Sequence, residues 1–422
     1  MPFELILFLV MVGVFVVGAF VLKLPVSLSM MLASLAALLA SGNGLGIRHL
    51  VEGTFGYVDT ILVIATAMIF MRAVQESGAL DALTIVIIKR FRRVPALLLP
   101  LLMLVAMFPG MITGSSSASV LTAGAVVAPV LIILGLPKAS AGAFIALAGI
   151  LGMIAPPVNI PAMIIGGGID MPFVGFELPL LLLTMPLAIV FSWWIGLKKI
   201  KRLEWEEIAP RLDTASYERY GFRLFLPIVG VAVLMVLGKA LPSIFSLGLP
   251  VVFLLGAAAA RFVGKRFSVL KASKAAMGDA LPVLAILAGV GMFIQVMTLT
   301  GVRGFVVVSS LSVPAALLYV AIAVTMPLFG AVSSFGSASV LGVPFLLALL
   351  GKDQIIAASA LSLVAALGDF MPPTALSAIF AAQVVGVDRY SLVLKKLILP
   401  ALVVVAWALL FIGFSTTIRG FL

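Results

Sequence analysis

Hydroxyl side chains cluster twice in a chain that is otherwise apolar. One cluster is Thr113-Gly114-Ser115-Ser116-Ser117-Ala118-Ser119 and the other is Ser333-Ser334-Phe335-Gly336-Ser337-Ala338-Ser339. The string Ser-Ala-Ser-Val-Leu begins at Ser117 and returns unchanged at Ser337, 220 residues later (337 − 117). A double proline follows each cluster, in Ala155-Pro156-Pro157 and Met371-Pro372-Pro373. Such breaks free backbone carbonyls, and these suit a small cation such as Na⁺. A helix that starts at a serine tip turns its first N–H groups toward the gap, which suits a carboxylate. Ser115, Ser116, Ser117, Asn159, Ser337, Ser339 and Thr374 are therefore the expected substrate contacts. Ser119, Gly152, Pro156, Ser334, Gly368, Asp369 and Pro372 are the expected cation ligands. The plainer alternatives are small residues that let helices pack closely and prolines that only kink them.

Asp369 lies within a long apolar run, where an acid is costly and marks a functional site by default. It can ligate a coupling cation, carry a proton, or serve as a buried hydrogen-bond acceptor. Its first-half counterpart is Met153, so the role is asymmetric. Arg72 and Glu76 are four residues apart and share a helix face. They read either as a pair reaching toward the membrane boundary or, for Arg72, as the counter-ion of an anionic substrate. Asp59 reads as interfacial, and Trp193 and Trp194 as boundary anchors.

Other chemistries find no residues to carry them. There is no cysteine, and His49 is the only histidine, so thiol, disulfide and histidine-rich metal chemistry have no basis. No Walker loop and no His-Glu-x-x-His is present. The serine clusters lack the neighbouring base that a serine nucleophile needs. No cofactor is expected beyond Na⁺ as coupling ion. The net charge of +11 does not point to nucleic acid, because the basic residues flank apolar segments as topology signals do.

The elements that must position these residues are membrane helices. The chain is 63% apolar and 10% charged, with mean hydropathy +1.32. A soluble domain averages about 45–50% and about 25%. Lipid must therefore serve as solvent. Expected helices are 3–22, 25–41 and 57–76, an arm near 78–88, segments 94–112 and 117–134 around the first tip, a broken helix 140–165, and 176–197. The second half repeats the plan with 223–238, 246–262, 279–299, an arm near 301–311, 314–331, 338–350, a broken helix 354–382, and 392–415.

Further matches support a duplication. Val94-Pro95-Ala96 returns as Val313-Pro314-Ala315, and Gly168-Ile169-Asp170 resembles Gly386-Val387-Asp388. Loop charge then suggests that the copies are inverted. Lys89 to Arg93 is strongly basic, whereas its counterpart Ser309 to Ser312 is uncharged. Arg261 to Lys274 carries five basic residues, whereas Ser41 to Gly53 has only Arg48, His49 and Glu52. Basic loops favour the cytoplasm. The expected fold is all-α and membrane-integral. It has two inverted repeats, each with about five spanning helices, a re-entrant hairpin and a broken helix. Repeat one is 1–200, with scaffold helices in 1–76 and a transport part in 94–165. A cytoplasmic linker covers 201–222. Repeat two is 223–422, with scaffold helices in 223–299 and a transport part in 314–382. Both termini are expected outside. Charge leaves open whether the serine tips are hairpins or join two full crossings.

The pattern resembles the large, DctM-like membrane subunit of the tripartite ATP-independent periplasmic (TRAP) transporters, within the ion transporter superfamily. Leu24-Pro25-Val26, Gly114-Ser115-Ser116-Ser117-Ala118, Gly152 to Pro157 and Gly368 to Pro373 carry the resemblance. It implies an elevator mechanism and Na⁺-coupled uptake of organic acids such as C4-dicarboxylates or sialic acid. It also implies a small four-helix membrane subunit and a periplasmic binding protein as partners. The overall expectation is a secondary transporter in a bacterial or archaeal inner membrane, with a small organic anion and lipid as partners and a homodimer as one assembly. An H⁺-coupled stand-alone carrier and a non-transporting partner subunit are the alternatives.

Overall fold

A computed structural model describes residues 2–200, 215–241, 247–310, 313–372 and 374–421. Most of the expected linker, 201–214, and Pro373 lie outside the described residues. Every element among the described residues is a helix. The first half contains α1 (Phe3–Val21), α2 (Val26–Ala40), α3 (Ile47–Phe55), α4 (Val58–Ser77), α5 (Ala79–Phe91), α6 (Pro95–Thr113), α7 (Ser116–Ile133), α8 (Lys138–Ile154), α9 (Ile160–Gly167) and α10 (Glu177–Gly196). The second contains α11 (Ala215–Ala240), α12 (Leu249–Val263), α13 (Val269–Leu299), α14 (Val302–Ser310), α15 (Ala315–Gly330), α16 (Ser334–Ala348), α17 (Gln354–Phe370), α18 (Leu376–Val384), α19 (Tyr390–Gly413) and α20 (Ser415–Phe421).

Among the described residues, eight helices are long and apolar enough to cross a membrane: α1, α4, α6, α7, α10, α11, α13 and α19. The helix starts follow the sequence punctuation. Pro95 occupies the first turn of α6, where its missing N–H costs nothing. Asp353 caps α17 by accepting from the Ile356 amide at 2.9 Å.

The element order of the two halves runs in step. α2 and α12 each span 15 residues and start 223 apart (249 − 26). The pair α8 and α17 starts 216 apart (354 − 138), as does the pair α9 and α18 (376 − 160). One difference was not anticipated. The second half has a single 31-residue α13, which starts ten residues before the expected 279, with Ser268 as its cap. The first half divides the matching stretch into α3 and α4. The expected plan had no α3. Its place is set by a glycine contact: a Cβ on Gly53 would sit 2.4 Å from the Gly291 carbonyl oxygen. Only glycine on both sides lets α3 cross α13 this closely.

The helices pack as two groups, each drawn from both halves of the chain. α1–α4 pack with α11–α13, and α6–α10 pack with α15–α19. α8 and α17 lie at the centre of the second group. Residues 140–154 and 356–370 are buried without exception. A helix that is apolar on every face needs such an all-round protein environment.

Candidate functional site

Each serine tip is built by a short extended link into a helix start. Gly114 adopts φ 65°, a left-handed conformation that ends α6 at little steric cost. Ser115 then caps α7, its Oγ accepting from the Ala118 amide at 3.3 Å. Ser333 caps α16 in the same way, accepting from the Gly336 amide at 3.2 Å. The arms of each tip are joined by one buried serine. Ser119 Oγ donates to the Met107 carbonyl at 3.2 Å and accepts from the Gly110 amide at 2.7 Å. Ser337 Oγ donates to the Met326 carbonyl at 2.7 Å.

At each tip the chain turns back on itself, and each tip meets a proline break. The Val158 amide donates to the Met111 carbonyl at 3.1 Å, joining the first hairpin to the first break. Thr374 Oγ1 donates to the Ala331 carbonyl, joining the second hairpin to the second break. Glycines make this approach possible. A Cβ on Gly152 would sit 2.4 Å from the Met107 carbonyl oxygen, and one on Gly368 would meet the Gly330 backbone at 2.4 Å. Gly110 and Gly330 are the facing partners. They were not singled out in the sequence, yet they stand 220 apart (330 − 110), the spacing of the serine string.

The two halves converge on Asp369. Ser116 donates its hydroxyl hydrogen to Asp369 Oδ2, and Ser334 lies within hydrogen-bonding reach of the same carboxylate. Ser116, Ser334 and Asp369 are all buried. Asp369 has no salt bridge among the described residues. Gly368 is adjacent, in the tight turn Leu367–Phe370 that ends α17. One cluster thus joins both hairpin tips and the second break, with Ser116, Ser334, Gly368 and Asp369 together.

The other expected residues divide into four groups. Asn159 is fully buried and saturated: Nδ2 donates to the Ile154 carbonyl and to Ser362 Oγ, each at 2.9 Å, and Oδ1 caps α9 by accepting from the Ala162 amide. Its bond to Ser362 ties the two broken helices together. Ser119, Ser337 and Ser339 are fully buried within the hairpins, where Ser339 Oγ donates to the Gly336 carbonyl at 3.0 Å. Pro156 is buried beside the cis Pro156–Pro157 bond, whereas Pro372 is exposed.

Ser115 and Ser117 instead face a cavity of about 680 Å³ between the two helix groups. Thr113, Ala118 and Thr122 of the first hairpin line it, with Arg72 and Gln75 of α4, Asp279 of α13 and Phe380 of α18. Arg72 Nη2 pairs with Glu76 at 2.9 Å, while its buried Nε has no hydrogen-bond partner among the described residues. The pairing of Arg72 with Glu76 agrees with the sequence reading of the two as neighbours on one helix face. Asp279 was missed as a site residue because the helix was expected to start there. In the structure it is the eleventh residue of α13, well inside the helix.

Comparison with known proteins matches this arrangement to membrane transporters. A family model described as "Tripartite ATP-independent periplasmic transporter, DctM component" matches residues 5–418. No curated protein sequence matches the chain. The fold is similar to that of the Alcanivorax borkumensis YdaH transporter, with TM-score 0.62 and 16% identity over 87% of this chain and 88% of that one. It is also similar to Neisseria gonorrhoeae MtrF, a protein described with a class of antimetabolite efflux pumps, with TM-score 0.58 and 14% identity over 88% of this chain and 84% of that one. The molecule is a multi-pass integral membrane protein and a transporter component, not an enzyme. The chain belongs to the DctM family, the large membrane component of tripartite ATP-independent periplasmic transporters.

Proposed function

We propose that the chain is a secondary transporter for a small organic anion of the carboxylate or dicarboxylate class, driven by Na⁺. The observation that carries this reading is the cavity at the first hairpin, which Ser115, Ser117 and Arg72 line together. Ser115 Oγ takes the Ala118 amide, whereas the Ser116 and Ser117 N–H groups of α7 have no helix partner one turn back, and a carboxylate at this helix start would take them together with the Arg72 guanidinium. Arg72 would then bind substrate while Glu76 holds its fork in place.

The cation is assigned to Ser116, Ser334 and Asp369, with backbone oxygens of the Gly368 turn. Two hydroxyls, a carboxylate and backbone oxygens form a hard donor set suited to Na⁺. A proton on Asp369 is the second reading. It is favoured by a hydroxyl partner and by the lack, among the described residues, of a basic residue paired with the acid. The division into two helix groups fits an elevator in which α6–α10 and α15–α19 slide against α1–α4 and α11–α13. The tripartite family description implies a small membrane subunit and a periplasmic binding protein as partners.

Uptake into proteoliposomes tests the reading, with C4-dicarboxylates and sialic acid as probes and both partner proteins supplied. A Na⁺ gradient should drive accumulation. Arg72→Gln should raise the half-saturating concentration by tenfold or more, taking a charge-assisted hydrogen bond as about 1.5–3 kcal/mol. Arg72→Lys should recover only part of this, because a point charge lacks the fork. Uptake that ignores Na⁺ and collapses with a protonophore would transfer the coupling to a proton on Asp369. Unchanged kinetics in Arg72→Gln would remove the anion from this cavity.

A further inference from the structure

A second cavity, of about 270 Å³, lies where α8, α10 and α19 meet. It shares no lining residue with the cavity at Ser115 and Ser117. Lys199 enters it from the segment after α10, and Lys395 and Lys396 enter from the second turn of α19. Lys199 Nζ donates to Ser140 Oγ on α8 at 3.4 Å. No acidic residue lines the cavity, and none of the three ammonium groups has a carboxylate partner among the described residues. Three lysines that line one cavity, with no carboxylate partner among the described residues, repel one another and favour an anion between them.

The rest of the wall identifies the anion. Trp194 and Leu399 complete the cavity and are 49% and 55% exposed. Ile398 beside them is 57% exposed. The three lysines therefore line one cavity together with an exposed apolar helix face and an aromatic ring. Headgroups and acyl chains combine charge and apolar surface in that way at a membrane boundary, and basic pockets between helices recognise acidic headgroups. A free anion would have no use for the apolar part.

We propose that this cavity binds the phosphate of an anionic phospholipid, held by Lys199, Lys395 and Lys396, with an acyl chain against Trp194 and Leu399. A lipid held there would connect α8 to α10 and α19 at the end of the first broken helix.

The full chain, purified in detergent, would be titrated with phosphatidylglycerol and with phosphatidylcholine, and bound lipid counted by native mass spectrometry. Phosphatidylglycerol should be retained selectively. The triple variant Lys199→Gln/Lys395→Gln/Lys396→Gln should weaken it about 100-fold, at about fivefold for each basic residue near a lipid phosphate. The triple Lys→Arg variant should keep it. Arg266→Gln/Lys271→Gln/Lys274→Gln removes the same charge from exposed positions elsewhere and should leave retention unchanged. Should the first triple variant not fold, single replacements expected to cost about fivefold each carry the same test. Equal retention by the glutamine variants, or equal loss in the distant control, would overturn the site. Displacement of phosphatidylglycerol by inorganic phosphate would overturn the lipid and leave a free phosphate as ligand.

Discussion

Ser116 donates a hydrogen bond to the carboxylate of Asp369, 253 positions away in the chain. The bond joins the first serine tip to the second proline break, and Ser334 of the second tip lies near the same carboxylate. Movement of either hairpin must therefore alter the surroundings of one buried acid. A cation or proton on that acid would, in turn, bias where the hairpins rest. Such a cluster suits coupling between ion and substrate, because each ligand then acts on the same two-state element.

Asp369→Asn tests this coupling. The amide keeps the shape of the carboxylate, and its oxygen still accepts from Ser116. The chain should fold and bind anion in the cavity, yet Na⁺-driven accumulation should fall to the level of empty proteoliposomes. Uptake measured against Na⁺ concentration checks it. Na⁺-dependent uptake that persists in the variant would place the coupling ion elsewhere.

Ser117 and Ser337 occupy matching places in the repeated string but differ in the structure. Ser117 lines the open cavity, whereas Ser337 is fully buried and bonded to the Met326 carbonyl. The sequence treats the two as equivalent, both as expected substrate contacts. The geometry separates them. Ser117→Phe should block uptake while the thermal midpoint stays within a few degrees. Ser337→Phe should destabilise the protein, because overpacking alone costs about 1–3 kcal/mol and a buried carbonyl loses its donor. Thermal unfolding and uptake, measured on both, check the contrast.

That contrast shows how far the string could be read. Its identical letters set a register of 220, but the structural equivalents lie 218 apart. Ser115 and Ser333 are the paired caps, and Ser116 and Ser334 the paired contacts to Asp369. The second tip is shorter by two residues between Gly330 and Ser333 than the first between Gly110 and Ser115. The string therefore slipped by two places, and Ser337 performs the task of Ser119 rather than of Ser117. The helices, tips and breaks were legible because apolar runs, glycine-serine clusters and double prolines are local signals. The bond from Asn159 to Ser362 and the crossing of Gly53 with Gly291 were not, since no spacing rule links residues so far apart in sequence.

Gly152 and Gly368 are the positions where hairpin and broken helix touch through backbone. A methyl group at either would meet backbone atoms at 2.4 Å, and backbone cannot step aside as a flexible side-chain end can. Gly152→Ala and Gly368→Ala should each destabilise by at least about 1–3 kcal/mol. Gly230→Ala is the control: nothing lies within 4 Å of the place its methyl group would take, and alanine should stabilise that helix by roughly 0.5–1 kcal/mol. Thermal midpoints of the three variants decide it. Equal stability across the set would mean the hairpins do not rest on these breaks.

The opposite orientation of the two halves that loop charge leads us to expect makes the sharpest topological prediction. Val94 precedes α6 and Val313 precedes α15, at matching places 219 apart (313 − 94). Both are exposed, at 50% and 39%. The chain has no cysteine, so a single introduced thiol reports without background. The basic run Lys89 to Arg93 should hold Val94 inside, and the uncharged Ser309 to Ser312 should leave Val313 outside. In intact right-side-out vesicles, an impermeant maleimide should therefore label Val313→Cys at once and Val94→Cys only after permeabilisation. Labelling of both from one side would mean that the halves run parallel, and the two hairpins would then enter from the same face instead of meeting at Asp369 from opposite ones.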